Sequence, residues 1–514
     1  MRFLSVIAKL CLFSSSSALL DNLSGPSIPA IMFEPQFRQQ SRYTRIRVQN
    51  QDDINRLFPL IVDYIREPAL ASTVEEFVFR CYLPYRPYIR DKNRHDNLTS
   101  LENARDISQE HEILQVLIDL GLEEPERSEW ARALTWMKPE LVATREQTLS
   151  DDTRAADELF NCYRDRVFAH YASALLLLLC PNVKTIRYED GSRVVEDILR
   201  RNNYGLLPKA HLQNLQEVVL LPTSHSVFED TRYYVHLDIL RSLRMFHRLP
   251  LIESVMTDGV GPNYDASFLY DFPPATSNLK KIHVGHSMYG EDTVSSLIGI
   301  PARLEELTLT TGGRCTTDGS RSFIAAKQIG KALFAHKAWL RKIDIDLDDY
   351  IDTSGYSWED DEDEDEIEED VDEWYLLDKE ISTTPLVEED AWKYGETIGS
   401  MHDFESLTHL SIGIRSLLGG NPRSRQSYDA PFRLAEALPK SLEYLLIRGY
   451  ERGSVKEYDS QIDELLLAQE THLPALKEVH GIHELIPSAV TVVRLEDEFW
   501  VREAVDEDWV EEMS

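Results

Sequence analysis

The sequence predicts an α/β fold of solenoid type, because one six-residue pattern occurs seven times along the chain. The pattern is a leucine or valine, two mostly polar residues, an aliphatic residue, one variable residue and a final apolar residue. Copies begin at Val183, Leu215, Leu279, Leu304, Leu340, Leu407 and Leu442, and a weaker copy begins at Leu476. Most copies lie roughly 25–40 residues apart, and short strands recurring at such intervals are typical of repeat arrays. An ordinary α/β domain with a parallel sheet is the alternative, since aliphatic strands followed by helices also suit such a sheet.

The region before the first copy is predicted to be mostly helical. Residues 1–40 are expected to form a poorly structured leader, and 41–180 the helical region. Apolar spacing predicts helices over 54–65, 112–122, 129–137 and 151–179, although Pro59 lies inside the first. The alternation in 74–79 predicts one strand within this region.

Residues 181–490 are predicted to alternate strands with helices or loops. Positions one, four and six of each pattern are expected to pack into a core, leaving positions three, five and seven on the opposite face. Two intervals are about twice the others. A degenerate copy near 249–255 would fill the first, and an acidic, disordered insertion at 354–373 lies in the second. Trp358 and Trp374 are expected to dock and fix the two ends of that insertion.

The net charge is −35, and the acidic residues are concentrated in two places. Thirteen of the fifteen residues in 359–373 are acidic, and the predicted acidic tail, 491–514, carries nine acids between 496 and 512. An acidic field of this strength argues against nucleic-acid binding, because like charges repel.

The cysteines and the N-terminal residues indicate in which cellular compartment the protein is expected. Five widely separated cysteines, none in a metal-binding spacing, favour a reduced cytoplasmic or nuclear location. The alternative is secretion, if residues 1–20 act as a signal peptide, although Lys9 interrupts their apolar run. No stretch of 18 apolar residues occurs, so no membrane span is predicted.

Two short motifs partly resemble a catalytic motif and a metal-binding motif, but each lacks residues that the motif requires. Ser287 follows a strand as the serine of a nucleophile elbow does, but Tyr289 stands where that turn needs glycine. Asp344, Asp346 and Asp348 alternate as a strand does, and counting a calcium loop from Asp344 finds neither its glycine nor its terminal glutamate. The sequence therefore predicts no catalytic residue, no cofactor and no metal.

Several segments resemble the fungal F-box and leucine-rich-repeat-like proteins. They are PALASTVEEF at 68–77, LLLLLCPNVKTI at 175–186, PARLEEL at 301–307 and LPKSLEYL at 438–445. The resemblance implies an irregular leucine-rich-repeat-like solenoid with a mostly helical N-terminal region. The F-box pattern itself is not found, and the asparagine or cysteine usual after each repeat strand is replaced by Ser287, Gly312 and Arg415.

These observations predict a non-catalytic protein–protein interaction module, and the resemblance implies a substrate receptor of ubiquitin-ligase type. The alternative is an acidic, chaperone-like binder of basic proteins such as histones. Partner identity and oligomeric state are left open. The residues expected to contact a protein partner occupy positions three, five and seven of the later patterns: Lys281, His283, Glu306, Thr308, Lys342, Asp344, His409, Ser411, Tyr444 and Arg448.

Overall fold

The computed structural model describes most of the chain between residues 42 and 511. The described residues are 42–80, 110–135, 153–189, 191–222, 233–262, 272–316, 324–348, 351, 377–378, 397–420, 430–488 and 510–511. All of them belong to the unit Ser41–Ser514. The predicted leader, the acidic insertion with both of its flanking tryptophans, and the tail apart from 510–511 lie outside the described residues.

Twelve of the fourteen strands in the described part form one sheet. The strands are β1 (Tyr43–Val48), β2 (Glu76–Phe79), β3 (Thr185–Glu189), β4 (Glu217–Leu221), β5 (Val235–His236), β6 (Ser254–Asp258), β7 (Val260–Gly261), β8 (Lys281–Ser287), β9 (Glu306–Thr311), β10 (Lys342–Asp346), β11 (His409–Gly413), β12 (Tyr444–Arg448), β13 (Glu478–His480) and β14 (Val510–Glu511). The sheet order is β13-β12-β11-β10-β9-β8-β6-β4-β3-β2-β1-β14, and β5 pairs with β7. Only β14 is antiparallel to its neighbour in the large sheet.

The described helices differ widely in length. They are α1 (Gln51–Arg66), α2 (Pro68–Ala71), α3 (Glu110–Asp119), α4 (Glu126–Thr135), α5 (Thr153–Leu179), α6 (Arg193–Asn203), α7 (Ile239–Leu243), α8 (Glu291–Gly299), α9 (Ala326–Phe334), α10 (Ile414–Leu418), α11 (Leu434–Ala437) and α12 (Lys456–His472). None of these helices is long and apolar enough to cross a membrane.

The predicted fold class, an irregular leucine-rich-repeat-like solenoid with a mostly helical N-terminal region, is wrong. The structure is an α/β fold on one large sheet with eleven parallel strands, β14 being the antiparallel twelfth. The helices between strands range from 4 to 27 residues, so the connections do not repeat one unit. The six-residue pattern recurs for a different reason: each parallel strand places aliphatic side chains on the covered side of the sheet. The predicted alternative, an α/β domain with a parallel sheet, describes this architecture.

The predicted strands themselves are present. Each of the seven patterns supplies a strand, the weaker copy supplies β13, and the degenerate copy near 249–255 leads into β6. They pair in register: Lys281 lies opposite Glu306, which lies opposite Lys342 on the next strand. Positions one, four and six are buried as expected; Leu304, Leu307 and Leu309 are at most 1% exposed.

The N-terminal region is part of the same sheet. The predicted strand is β2, and β1, which was not predicted from the sequence, pairs with it in parallel. The four predicted helices are present as α1, α3, α4 and α5, with ends shifted by a few residues. Helix α1 continues through Pro59 and is capped by the Asn50 side chain, which accepts a hydrogen bond from the Asp53 amide.

Candidate functional site: the open face of the sheet

One face of the large sheet is apolar and buried, and the other carries two rows of mainly polar side chains. We call the second surface the open face. Its first row contains Arg45, Glu76, Thr185, Glu217, Ser254, Lys281, Glu306, Lys342, His409, Tyr444 and Glu478. Its second row contains Arg47, Val78, Arg187, Val219, Met256, His283, Thr308, Asp344, Ser411, Leu446 and His480. Apart from Val78 and Ser411, these residues are half-buried or exposed.

The structure brings together all ten residues predicted to contact a partner. Lys281, Glu306, Lys342, His409 and Tyr444 lie in the first row, and His283, Thr308, Asp344 and Ser411 lie in the second. Arg448 follows on β12, opposite Gly413. Their role in binding stays a prediction, and their placement on one surface follows from the alternation of side chains along each strand.

The other half of the open face was not predicted from the sequence. Arg187, Glu217 and Met256 lie on strands β3, β4 and β6, and His480 lies on β13. The six-residue pattern could have predicted most of these residues, because Arg187, Glu217 and His480 occupy positions three or five of their own copies. Met256 lies beyond a degenerate copy, and the strands β1 and β2 precede the first copy.

The charges of the two rows are balanced and largely paired. Glu76 bridges two arginines across three strands, with its oxygens 2.6 Å from Arg45 Nε and 2.7 Å from Arg187 Nε. Lys281 Nζ lies 3.6 Å from carboxylate oxygens of both Glu253 and Glu306. The rows carry five basic and five acidic residues: Arg45, Arg47, Arg187, Lys281 and Lys342 against Glu76, Glu217, Glu306, Asp344 and Glu478. The open face therefore lacks the acidic bias of the whole chain, whose net charge is −35.

A groove of about 360 Å³ lies in the middle of the open face. Its walls include Ser254, Met256, His283 and Thr308, and it extends from Thr185 to Lys342. Partial removal of water by the groove lowers the pKa of His283, while the carboxylates of Asp258 and Asp344 act in the opposite direction. His283 thus offers a neutral imidazole to a partner at neutral pH.

Three rings stack near the β13 edge of the open face. The His409 and Tyr444 rings are 5.8 Å apart at 25°, and the Tyr444 and His480 rings are 5.3 Å apart at 37°. His409 and His480 are exposed, and Tyr444 is half-buried. The stack gives this end of the face a flat π surface on which a side chain of a partner can pack.

The residues of the two short motifs, Ser287 and the alternating aspartates, are buried or paired with other residues of the chain. Ser287 is fully buried, and its hydroxyl donates to the Thr310 carbonyl at 3.3 Å, so it is not presented to a substrate. Of the alternating aspartates, Asp344 faces the open side and pairs with Arg448, whereas Asp346 and Asp348 are buried. Within the described residues, no group of three or more His, Cys, Asp or Glu side chains is arranged to hold a metal.

A compact polar cluster lies where strands β6, β8 and β9 end. Asp258 Oδ1 is 2.8 Å from His286 Nδ1, and Asp258 Oδ2 is 3.4 Å from Arg314 Nη2. Glycines make room for it: a Cβ at Gly285 would lie 2.5 Å from the Asp258 carboxylate, and one at Gly259 2.2 Å from the Arg314 guanidinium. Gly259 also has a φ of +69°, a backbone conformation that favours glycine. The ion pairs of Asp258 link the ends of β6 and β8 to the loop after β9.

Asp348 holds the start of α10 from the end of β10. Its carboxylate accepts hydrogen bonds from the Arg415 and Ser416 amides, at 2.9 and 2.8 Å, and from the Ser416 hydroxyl at 2.7 Å. Burial raises the pKa of Asp348, and these donors partly offset the rise. Gly413 is required beside it, since a Cβ there would lie 2.1 Å from the carboxylate.

Asp378 anchors the insertion between β10 and β11 in a fully buried pocket. Tyr204 donates to Asp378 Oδ2 at 2.7 Å, and His247 Nε2 lies 2.9 Å from Asp378 Oδ1. Asp378 and His247 are both fully buried, and Arg248 Nη1 lies 4.0 Å from the same carboxylate. Burial lowers the pKa of His247, although the Asp378 hydrogen bond opposes this. Sequence could not reveal the pair, because its members are 131 residues apart.

Comparison with known proteins identifies no relative, so the function is inferred from the geometry described above. No protein-family model matches the chain, and no curated protein matches it.

Proposed function

We propose that this protein is a non-catalytic protein–protein interaction module that binds its partner on the open face. The observation that carries the proposal is the pair of polar, half-exposed rows that runs in register across eleven parallel strands. Parallel sheets are normally covered on both faces, so a broad accessible face on such a sheet is a surface available to a partner.

The open face is large enough for a specific interface. Ten spacings of about 4.8 Å between eleven strands give a length of roughly 48 Å. A strip of that length needs a width of only about 17 Å to provide the roughly 800 Å² that one partner contributes to a typical complex. The balanced charges of the two rows favour a partner chosen by shape and local pairing, because neither sign dominates the surface.

The specific form that we propose is a substrate receptor of ubiquitin-ligase type, on the resemblance described above. Such a protein must contact both a substrate and an adaptor of the ligase. Co-purification of a cullin adaptor together with a second protein would support this form. Recovery of the second protein without any adaptor would leave an interaction module with a different role.

A pair of charge-reversed variants tests the open face. Lys342→Glu combined with Arg448→Glu alters the open face, and Lys331→Glu combined with Lys440→Glu makes the same charge change at exposed residues on α9 and before β12. We expect partner recovery in quantitative affinity purification to fall at least about fivefold for the first variant, or roughly 1 kcal/mol. The second variant should retain the partner. Equal recovery from both, at unchanged melting temperatures, would contradict binding on the open face.

A second candidate function is an acidic, chaperone-like binder of basic proteins such as histones. It is favoured by the thirteen acidic residues within 359–373. Replacing residues 360–372 with a Gly/Ser linker would then abolish recovery of basic partners, and added salt would weaken that recovery in the unaltered protein. Under the first proposal, the linker variant keeps its partner and the open-face variant loses it.

A further inference from the structure

Glu217 lies near the β3 end of the groove that runs across the open face. It is opposite Thr185 on β3 and Ser254 on β6, so neither neighbouring strand supplies a base in register with it. Its carboxylate is 3.5 Å from the Ser254 hydroxyl, which is too long for a strong hydrogen bond. Within the described part of the chain, Glu217 forms no ion pair with a basic side chain.

The two lysines of the groove have other carboxylates as their neighbours. Lys281 Nζ lies 3.6 Å from oxygens of both Glu253 and Glu306. Lys342 lies opposite Glu306 on the neighbouring strand. The groove therefore contains two lysines beside two carboxylates, and the carboxylate of Glu217 is the third.

Two apolar side chains lie beside this third carboxylate. Val219 and Met256 are opposite each other on β4 and β6, two residues, or about 7 Å, beyond Glu217 and Ser254. Both are half-buried and lie on the same face of the sheet as Glu217. A long side chain can therefore lay an apolar stem across Val219 and Met256 and place a charged end at Glu217.

The polar side chains around the apolar pair offer further hydrogen-bond acceptors. His283 lies opposite Met256 on β8, and its ring makes no hydrogen bond to another described residue. Partial burial lowers the pKa of His283, and the neutral ring keeps one nitrogen as an acceptor. The hydroxyl of Thr185, opposite Glu217, is likewise not bonded to any residue of the described ranges. All these side chains are half-buried or exposed, so a partner can reach them from solvent.

We propose that the groove binds one arginine side chain of the protein partner, with the guanidinium on Glu217 and the aliphatic stem on Val219 and Met256. This inference rests on the proposed function and assigns the chemistry of the partner at one position. Arginine combines an apolar stem with a planar head of five donors, which matches a carboxylate flanked by hydroxyl groups. The net charge of −35 draws basic segments towards the protein and repels acidic ones.

Capped tetrapeptides test the proposal with the full-length protein. The probes are Gly-Leu-Arg-Gly and its counterparts with lysine or with citrulline, an uncharged analogue of similar shape, in place of arginine. Ligand-observed NMR measures their binding. We expect the arginine peptide to bind about tenfold more tightly than the citrulline peptide, because hydrogen bonds between charged groups are the stronger ones. The lysine peptide should bind more weakly than the arginine peptide, since an ammonium cannot form two parallel bonds to one carboxylate.

Three variants locate the binding. Glu217→Gln keeps the shape of the side chain but removes its charge, so it should abolish most of the difference between the arginine and citrulline peptides. Met256→Ala should weaken both peptides by a similar factor and preserve their ratio, because it removes apolar contact with the stem. The matched control is Glu470→Gln, at an exposed glutamate on α12, and it should change neither affinity. The melting temperature of each variant checks that it is folded.

Three outcomes would overturn the proposal: no detectable binding of the arginine peptide, equal binding of the lysine or citrulline peptide, or a difference that survives Glu217→Gln. The proposed function fails separately. Loss of the partner in the open-face charge-reversed variant, without peptide discrimination, refutes the arginine site and leaves the interaction module. Peptide discrimination with undiminished partner recovery from both that variant and Glu217→Gln refutes the open face as the main interface.

Discussion

Asp344 and Asp348 are only four residues apart, and they show how the open face differs from the buried polar contacts of the fold. Asp348 is buried and accepts three hydrogen bonds from Arg415 and Ser416. Asp344 is on the open face and pairs with Arg448; among the described residues, neither Arg448 Nε nor the Ser411 hydroxyl has a hydrogen-bond partner. Polar groups that are satisfied within the chain stabilise the fold, whereas buried donors without a partner add little to its stability.

The largest expected effect comes from Asp348→Ala. Removal of the buried carboxylate leaves two amides and a hydroxyl without their acceptor, and we expect a loss of about 3–5 kcal/mol in the free energy of unfolding. Asp344→Ala, four residues earlier on β10, is the control and should cost less than about 1 kcal/mol, as is usual for a partly exposed ion pair. Urea unfolding of both variants measures the contrast. Similar losses would show that the open face is as structural as the core.

Leu307→Ala tests the covered face of β9. Leu307 is 1% exposed, and a cavity at such a position typically costs about 2–5 kcal/mol. Its neighbour Thr308 points to the open face, and Thr308→Ala should change the stability by less than about 0.5 kcal/mol. Urea unfolding again gives both values, and a large cost at Thr308 would contradict the assignment of the two faces.

Asp378→Asn tests the anchor of the insertion. Asparagine keeps the shape but presents an amide to His247 or to Tyr204, and we expect a loss of about 1–3 kcal/mol. Limited proteolysis should also cut the insertion between β10 and β11 faster in the variant. Unchanged proteolysis and stability would show that Asp378 does not hold the insertion.

Acidification should weaken the fold, because three histidines that are partly or fully buried are easier to protonate in the unfolded chain. Burial lowers the pKa of His211, His247 and His336 in the folded state below the ordinary value of 6.5. The unfolded chain therefore binds more protons below pH 6.5, so stability present above that pH is lost as the pH falls from 6.5 towards 5. His247→Gln should flatten this dependence in urea unfolding followed from pH 7.5 to 5.5. A wild-type stability that rises over that range would contradict the assignment of neutral buried histidines.

Strand positions and faces were predictable because they depend on local alternation. The pattern at Leu304 places Leu307 inside and Thr308 outside with no knowledge of neighbouring strands. The architecture was not predictable in the same way, because one pattern suits both a repeat array and a single parallel sheet. The contacts of Asp378 with His247, and of Arg448 with Asp344, depend on residues brought together from 131 and 104 positions apart.

Site-specific photocrosslinking tests the central claim, partner binding on the open face, most directly. A benzoylphenylalanine in place of Thr308 lies in the second row beside the groove, and one in place of Lys331 lies on α9. We predict that irradiation of the partner-bound protein joins the partner to the position of Thr308 and not to that of Lys331. Crosslinking from the position of Lys331 alone, or equally from both, would contradict the account.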